Sequence, residues 1–534
     1  MQLRRLIVAA LLPFALSATA APDEHGKAEH FVIVVWDGMR PDFVTPEHAP
    51  TLSALARDGV FFRQNHPAFP SSTNVNGAAI ATGDYPGHDG IIANQEFRPE
   101  IDPHKPFDTS DFPGLDEGGR ISQSFINIPT FVEDFHKVGI RTAIAGSKPV
   151  AQLFDRSRIR ENAIARDSVV LYRGRTVPAG ALQSITDVIG PFPKRKGFPN
   201  TGQDAWTTRA LTDVLWKDDV PMFSLLWLSE PDLSQHETAP GSPTSLAAIK
   251  SCDENLAKVI AALKAKNALA TTDIFVVSDH GFSTIDLALD ATERLRSAGF
   301  DAVRQFADAP KPGQVLVVSL GGSIGFYVTG HDANTIRRLV DYLQHSDFAG
   351  VILTRTAQEG TFTLAQLHMD IPDAPDLVVA SRWNDRPNKL GTPGEVASDI
   401  GRNLDEGTHA SLSRFDMHNT LIVSGPDFRR GWNDETPSGN IDLAPTILTL
   451  LGLPAPTSMD GRALSEAFRD AKTTPPIQSH ELIAERDLGD ATWRQTVRLT
   501  TVGATTYFAE GNGKRVAHAG REKTPGQKSP STKD

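Results

Sequence analysis

A chain of 534 residues with 40% hydrophobic and 22% charged residues can bury a sizeable core. It is too long for one small domain, so we expect one large α/β unit with insertions, or two domains. The formal net charge of −12 argues against a protein that coats nucleic-acid polymers, although bound metal cations can still attract a small anionic substrate.

The first residues have the three parts of a secretory signal peptide, which we predict over residues 1–21. Arg4 and Arg5 precede an apolar run at 6–16, and the small residues at 18–20 form a cleavage pattern. The apolar run is too short to span a bilayer, and no other segment is long enough, so we expect no permanent membrane anchor. The chain has a single cysteine, which excludes an intrachain disulfide. We therefore expect a secreted protein of the bacterial periplasm.

Four short apolar runs predict strands that are buried on both faces, as in a parallel sheet. They lie at residues 31–36, 140–145, 222–228 and 274–277. Helical patterns separate them, at 50–58, 204–216 and 243–264. Strands that alternate with helices indicate an α/β fold with a doubly wound, mostly parallel sheet.

Two stretches interrupt this alternation. Residues 97–122 are rich in Pro, Asp and Gly and predict a long ordered loop. Residues 284–383 carry a strand pattern at 325–328 and a helix pattern at 333–344, which we interpret as core elements mixed with an inserted cap. We expect a catalytic domain over 31–470 with these two insertions, a C-terminal extension over 477–520 and a disordered tail over 521–534.

Acidic and imidazole side chains follow three of the predicted strands. Because ligands bind outside the carboxyl ends of the strands in a doubly wound sheet, these side chains should converge on one crevice. Three Asp and three His match two zinc sites with an open position each, although a single Asp after a strand is often only a helix N-cap. The six residues are Asp37, Asp232, His236, Asp279, His280 and, in a polar loop far downstream, His409.

Thr73 is the candidate nucleophile. It lies near the start of a helical pattern at 75–81, where free backbone N–H groups and the helix dipole favour an anion. A hydroxyl that binds a metal there can act as an alkoxide at neutral pH. This segment alone favours a plain threonine N-cap over a nucleophile.

Several motifs, taken in order, resemble the alkaline phosphatase superfamily, and in particular its nucleotide pyrophosphatase/phosphodiesterase branch. The resemblance covers about residues 31–468 and implies an alkaline phosphatase-like fold. The matching segments are 36–40 (Trp-Asp-Gly-Met-Arg), 69–73 (Phe-Pro-Ser-Ser-Thr), 81–86, 90–94 (ending at Asn94), 230–232 (Glu-Pro-Asp) with His236, 278–281 (Ser-Asp-His-Gly), 407–409 (Gly-Thr-His), 440–448 (from Asn440), 451–453 and 459–462 (Met-Asp-Gly-Arg).

The resemblance implies a hydrolase of small phosphoesters that holds two Zn²⁺ and acts through a covalent phospho-threonine on Thr73. It implies that Asn94 contacts a phosphoryl oxygen, and that phosphodiester or nucleotide pyrophosphate bonds are the preferred substrates. It implies one zinc on Asp37, Thr73, Asp279 and His280, and the other on Asp232, His236 and His409.

The chain also departs from this family's pattern. After the nucleophile only Asn76 matches the usual Phe-Pro-Asn-His, and Ala410 stands where Gly is usual. Lys148 resembles a lysine of the phosphate-monoester and phosphonoacetate branches, but Val150 stands where the monoesterases have an arginine. A phosphomonoesterase and a phosphonoacetate-type hydrolase are therefore the alternatives within enzymes. An inactive metal-binding protein on the same fold is the alternative of another class, and the oligomeric state is left open.

Overall fold

The computed structural model describes residues 26–110, 126–160 and 162–518. The predicted signal peptide (1–21), the second half of the predicted 97–122 loop and the predicted tail (521–534) lie outside these ranges. Among the described residues, no helix is long and apolar enough to cross a membrane.

A nine-stranded sheet forms the centre of the molecule. Five adjacent strands of this sheet are parallel: Thr272–Val277, His30–Trp36, Phe223–Leu228, Thr142–Gly146 and Val169–Tyr172. Leu421–Ser424 and the edge strand Arg175–Val177 run antiparallel to their neighbours. The predicted α/β fold with a mostly parallel sheet is therefore confirmed. The strand order is Trp432–Asp434, Val60–Phe62, Leu421–Ser424, Thr272–Val277, His30–Trp36, Phe223–Leu228, Thr142–Gly146, Val169–Tyr172 and Arg175–Val177.

Helices cover both faces of this sheet, because the side chains of the central strands alternate between two apolar cores. In His30–Trp36, residues 31, 33 and 35 enter one core and residues 32, 34 and 36 the other. Thr73–Thr82, Phe131–Lys137 and Leu443–Leu450 pack on the first face. Pro50–Asp58, Ala181–Ile189, Thr201–Arg209 and Pro243–Ala265 pack on the second.

The predicted core elements are present, with shifted ends. The strand predicted at 140–145 begins at Thr142, because pairing with the neighbouring strand starts there, opposite Phe223. The strand predicted at 222–228 begins at Phe223, since Met222 is 37% exposed. The helix predicted at 204–216 begins at Thr201, and its second half, Ala210–Leu215, is a π-helix.

A second body of strands covers the region between the central strand Thr272–Val277 and His409. Its six-stranded sheet packs against Ala333–His345, so the predicted strand at 325–328 and helix at 333–344 are confirmed. A four-stranded sheet then returns the chain to His409. The six strands are Ala302–Val303, Val315–Ser319, Ser323–Val328, Leu377–Ser381, Ala349–Thr354 and Phe362–Thr363, and the four are Trp383–Pro387, Pro393–Asp399, Ser283–Leu289 and Gly407–Thr408.

Among the described residues, three further β elements lie outside these sheets, and one of them is a short parallel pair of Ser438–Gly439 with Asn65–His66. In the described part of the predicted 97–122 loop, Phe107–Asp108 pairs antiparallel with Gln95–Glu96. Near the C-terminus, three antiparallel strands at Ile477–Asp487, Ala491–Val502 and Thr505–Ala517 form a separate sheet. Tyr507 anchors this sheet to the main α/β unit, because its hydroxyl donates a 2.7 Å hydrogen bond to Asp442 Oδ2.

Close packing of the helix Thr73–Thr82 against its neighbours generates a stability prediction. A Cβ at Gly77 would lie 2.3 Å from Val150 Cγ2, and the buried, β-branched valine cannot rotate freely. Gly77→Ala should therefore lower the free energy of unfolding by about 1–2 kcal/mol, because overpacking exceeds the gain of roughly 0.5–1 kcal/mol in helix propensity.

Gly202 provides the matched control, since it also lies in a helix but a Cβ there would meet nothing within 4 Å. Gly202→Ala should raise the free energy of unfolding by up to about 1 kcal/mol. Urea unfolding of both variants tests the comparison. Equal stabilisation by the two substitutions would contradict the packing described here.

Candidate active site

Four side chains with chemical function follow four adjacent parallel strands. Asp37, Lys148, Asp232 and Asp279 come after His30–Trp36, Thr142–Gly146, Phe223–Leu228 and Thr272–Val277, whose carboxyl ends share one edge of the sheet. The crevice that the sequence predicted at this edge is therefore present. Sequence reasoning treated Lys148 separately from the aspartates, but the strand order brings all four together.

The three histidines each point Nε2 into this crevice. In every case Nδ1 lies 2.8–3.0 Å from a backbone carbonyl oxygen, so Nδ1–H donates and the Nε2 lone pair remains free for a metal. The carbonyls belong to Gly407 for His236, to Gly281 for His280 and to Ser71 for His409. These backbone contacts fix both the tautomer and the orientation of each ring.

Three carboxylate oxygens lie among these nitrogens without any hydrogen-bond donor. They are Asp37 Oδ1, Asp232 Oδ1 and Asp279 Oδ2, and all three are buried. An unpaired buried carboxylate oxygen is costly unless a cation neutralises it, so this donor set fits metal ions. The nearest Nε2 atoms are those of His280 to Asp37 (3.6 Å) and to Asp279 (3.3 Å), and of His236 and His409 to Asp232 (3.2 and 3.5 Å).

In this crevice, two groups of ligand atoms are compact enough to hold one ion each. The first contains Asp232, His236 and His409, and the second contains Asp37, Asp232 and His280, with all ligand atoms of a group within 4.8 Å of one another. Asp232 Oδ1 belongs to both groups and is 4.0 Å from His280 Nε2. Asp279 is in neither group, but its Oδ2 lies 3.3 Å from His280 Nε2, so the six residues that the sequence singled out form one cluster in which Asp232 joins the two groups.

The cluster carries an excess of negative charge. Burial, together with the neighbouring Asp279, raises the pKa of Asp37 well above its usual range, and burial raises the pKa of Asp279 to about 6. Lys148 Nζ lies 2.9 Å from Asp37 Oδ2 and 2.8 Å from Asp232 Oδ2. Burial opposes ionisation of Asp232, but the charge of Lys148 overcomes it and holds the pKa of Asp232 well below the usual range. One lysine against three carboxylates leaves charge that metal cations can offset.

Thr73 is the first residue of its helix rather than the N-cap. Ser72 occupies the N-cap position, and no side chain there accepts from the first turn. Thr73 Oγ1 lies 3.4 Å from His280 Nε2, inside the cluster. The plain N-cap role is therefore not the one that this threonine has in the structure.

Asn94 lies beside the start of the same helix. Its Oδ1 accepts a 2.8 Å hydrogen bond from the backbone N–H of Asn74. This contact fixes the amide, and its NH₂ group remains available to donate to an oxygen near Thr73.

Sequence reasoning missed Trp227. Its indole Nε1–H donates a 2.8 Å hydrogen bond to Asp37 Oδ2, which leaves Oδ1 as the oxygen that faces His280. A tryptophan within an apolar strand gives no signal of this role, because its pattern is that of any core residue.

The model of the type I phosphodiesterase / nucleotide pyrophosphatase family matches residues 31–389. The chain belongs to this family. The match covers the five adjacent parallel strands and five of the six Asp and His residues, all except His409, and it confirms the resemblance drawn from the motifs.

Curated relatives of this phosphodiesterase-family chain are distant. Human ectonucleotide pyrophosphatase/phosphodiesterase family member 1 is 24% identical over 254 residues, 46% of this chain and 22% of that protein. Human family member 7 is 23% identical over 289 residues, 52% of this chain and 54% of that protein. The bis(5'-adenosyl)-triphosphatase enpp4 of Xenopus laevis is 21% identical over 460 residues, 84% of this chain and 83% of that protein. The chain thus spans about a fifth and about half of the first two relatives.

Solved structures agree on the fold of this phosphodiesterase-family chain. Murine ectonucleotide pyrophosphatase/phosphodiesterase 5, in an inactive form in complex with AMP, superposes with a TM-score of 0.55 at 16% identity, over 80% of this chain and 96% of that one. The human protein of the same name gives a TM-score of 0.56 at 15% identity, over 83% of this chain and 100% of that one.

The geometry predicts that the protein binds about two divalent ions and that single ligand substitutions each remove one. His409→Ala and Asp279→Ala should each lower the content to about one ion per chain, as measured by plasma mass spectrometry of purified protein. His66→Ala is the control, because His66 is also buried and also anchors Nδ1 on a carbonyl, that of Met417, but lies outside the Asp/His cluster. Full metal content in the His409 and Asp279 variants would contradict the assignment.

Proposed function

We propose that this protein is a two-zinc hydrolase of phosphoric esters that acts through a covalent phospho-threonine at Thr73. The observation that carries the proposal is the position of Thr73 Oγ1, which starts a buried helix and lies 3.4 Å from His280 Nε2 within the Asp/His cluster. Membership of the type I phosphodiesterase / nucleotide pyrophosphatase family supports phosphodiester or nucleotide pyrophosphate bonds as the substrates.

Mixed carboxylate and imidazole ligation suits zinc. In the proposal Asp37, Thr73, Asp279 and His280 hold one ion, and Asp232, His236 and His409 hold the other. When bound, the two ions would lower the pKa of the Thr73 hydroxyl and neutralise charge on the attacking and leaving oxygens.

The chain's own residues then account for each step of a double displacement. Thr73 loses its hydroxyl proton to solvent, and its Oγ1 attacks phosphorus. A bond forms between Oγ1 and phosphorus as the bond to the leaving oxygen breaks, and the leaving group takes a proton from water. In the second step a water oxygen attacks the same phosphorus, which releases a phosphate monoester and restores the Thr73 hydroxyl.

The non-bridging oxygens of the transferred phosphoryl group need hydrogen-bond donors. The NH₂ group of Asn94 supplies one, because its carbonyl oxygen is held by the N–H of Asn74. Free N–H groups at the first turn of Thr73–Thr82 supply others. These donors are fixed before the reaction, so they stabilise the transition state with little reorganisation.

Residues 148 and 150 indicate which substrate charge the site favours. Lys148 is engaged by two cluster carboxylates, so its charge serves the ligands first. Val150 is fully buried against the helix at Gly77, so this position points into the core and offers no second cation to a dianionic monoester. Both observations favour diesters, which carry less charge than monoesters.

Removal of the proposed nucleophile tests the proposed function directly, with kcat as the measured quantity. Thr73→Ala should lower kcat by at least about three orders of magnitude, while Thr73→Ser should keep part of the activity, because only the serine variant retains a hydroxyl. Thr82→Ala, at the far end of the same buried helix, is the control and should keep its turnover. Substantial turnover by the Thr73→Ala protein, with metal content unchanged, would sink the proposal.

Substrate preference is tested with two esters of one leaving group. A p-nitrophenyl nucleoside monophosphate ester should have a higher kcat/KM than p-nitrophenyl phosphate, because the site lacks the second cation that a monoester dianion needs. Lys148→Ala should reduce the remaining monoester activity more than the diester activity. A monoester preference above about tenfold, roughly 1.4 kcal/mol of transition-state binding, would reverse this assignment and point to the phosphomonoesterase alternative.

A further inference from the structure

Four fully buried asparagines form a hydrogen-bonded group beneath the cluster. They are Asn65, Asn76, Asn419 and Asn440, each with no exposed surface. The sequence motifs singled out Asn76 and Asn440 but gave neither a role. Burial of four amides costs free energy unless each is hydrogen-bonded, so their hydrogen-bond partners indicate what they hold in place.

Asn76 holds the backbone that leads into Thr73. Its Nδ2 donates to the carbonyls of Ala68 and Ser72, each at 3.1 Å, and its Oδ1 accepts from the N–H of Ala68 at 2.7 Å. Ser72 is the residue immediately before Thr73. The amide of Asn76 therefore closes the turn that presents the Thr73 hydroxyl.

Asn440 connects this turn to a proposed metal ligand. Its Nδ2 donates to Asn76 Oδ1 at 3.0 Å and to the backbone carbonyl of Asp279 at 2.8 Å. Its Oδ1 accepts from the amides of Asn419 and Asn65 at 3.0 and 3.3 Å. Asn419 also donates to the carbonyl of Ser278, next to Asp279. Two side chains, those of Asn76 and Asn440, thus link the nucleophile turn to the Asp279 backbone.

We propose that Asn440, acting through Asn76, is a positioning residue that sets the separation of Thr73 Oγ1 from the Asp279 and His280 ligands. The inference rests on the proposed function, in which Thr73 is the nucleophile. An amide suits this position because it donates two hydrogen bonds and accepts others while remaining neutral. A carboxylate would lose both donors and add charge beside a cluster that already has an excess of it.

The alternative is that Asn440 only stabilises the fold, and the two roles differ in what they change. Misplacement of a nucleophile lowers the rate of the chemical step, and a shift of about 1 Å can cost about 100-fold. It leaves ground-state binding largely intact. A purely structural role lowers stability and changes kcat no more than a comparable substitution elsewhere.

The test uses Asn440→Leu, which keeps the approximate volume and removes the amide. We expect the rate of phospho-enzyme formation and kcat to fall about 10- to 100-fold, KM to stay within about threefold, and the full metal content to remain. Asn255→Leu is the control, because Asn255 is equally buried but donates only to the carbonyl of Ser251, within its own helix. Its kcat should match that of the unmodified protein at temperatures where both variants are folded.

Unchanged kcat in Asn440→Leu, or the same loss in Asn255→Leu, would overturn the positioning role. Asn440→Ser provides a second variant if the leucine protein does not fold, since its hydroxyl keeps one donor and should recover part of the rate. Trapping of phospho-threonine in the unmodified protein tests the proposed function separately from the positioning role of Asn440. Its absence there would refute the proposed function itself, whatever the Asn440 variants do.

Discussion

Repulsion among three buried carboxylates, those of Asp37, Asp232 and Asp279, is the constraint on which the site depends. Each has a buried oxygen that accepts no hydrogen bond. Burial of such a charged oxygen costs free energy unless a cation neutralises it. Lys148 neutralises only part of this charge. Cations bound among these oxygens would complete the arrangement, and in the proposed function the same cations would supply the charge stabilisation that a phosphoryl group needs.

The parallel sheet makes this concentration of charge possible. Adjacent parallel strands end at one edge, so residues that are far apart in the chain meet without any long loop to hold them. Backbone carbonyls then orient all three histidines, and Trp227 turns one carboxylate so that its free oxygen faces the ions' position. Rigid elements therefore fix the ligands, as a site that works by positioning requires.

Much of this could be read from the sequence, for physical reasons. Buried parallel strands appear as continuous apolar runs, so 31–36 and 274–277 were placed nearly correctly, and the Asp and His residues after them were natural ligand candidates. Strand ends were less certain, because Thr142 rather than Ile140 begins the pairing with Phe223. The six-stranded sheet after residue 300 was predicted only in fragments, since its short strands carry no strong period.

Other features depend on contacts between distant positions and leave no local pattern. Asn440 and Asn76 are 364 residues apart, and their hydrogen bond exists only once both have packed beneath the cluster. The place of Asp232 in both ligand groups likewise follows from strand order, which no spacing in the sequence fixes. Resemblance to a family identified the residues, but tertiary structure was needed to see how they are held.

The covalent intermediate on Thr73 is the central claim, and stereochemistry at phosphorus tests it most directly. A phosphorothioate diester of known configuration at phosphorus would be hydrolysed in isotopically labelled water and the configuration of the product determined. Each in-line displacement inverts phosphorus, so attack by Thr73 followed by attack of water predicts net retention. Net inversion would indicate a single attack by water and would contradict the phospho-threonine.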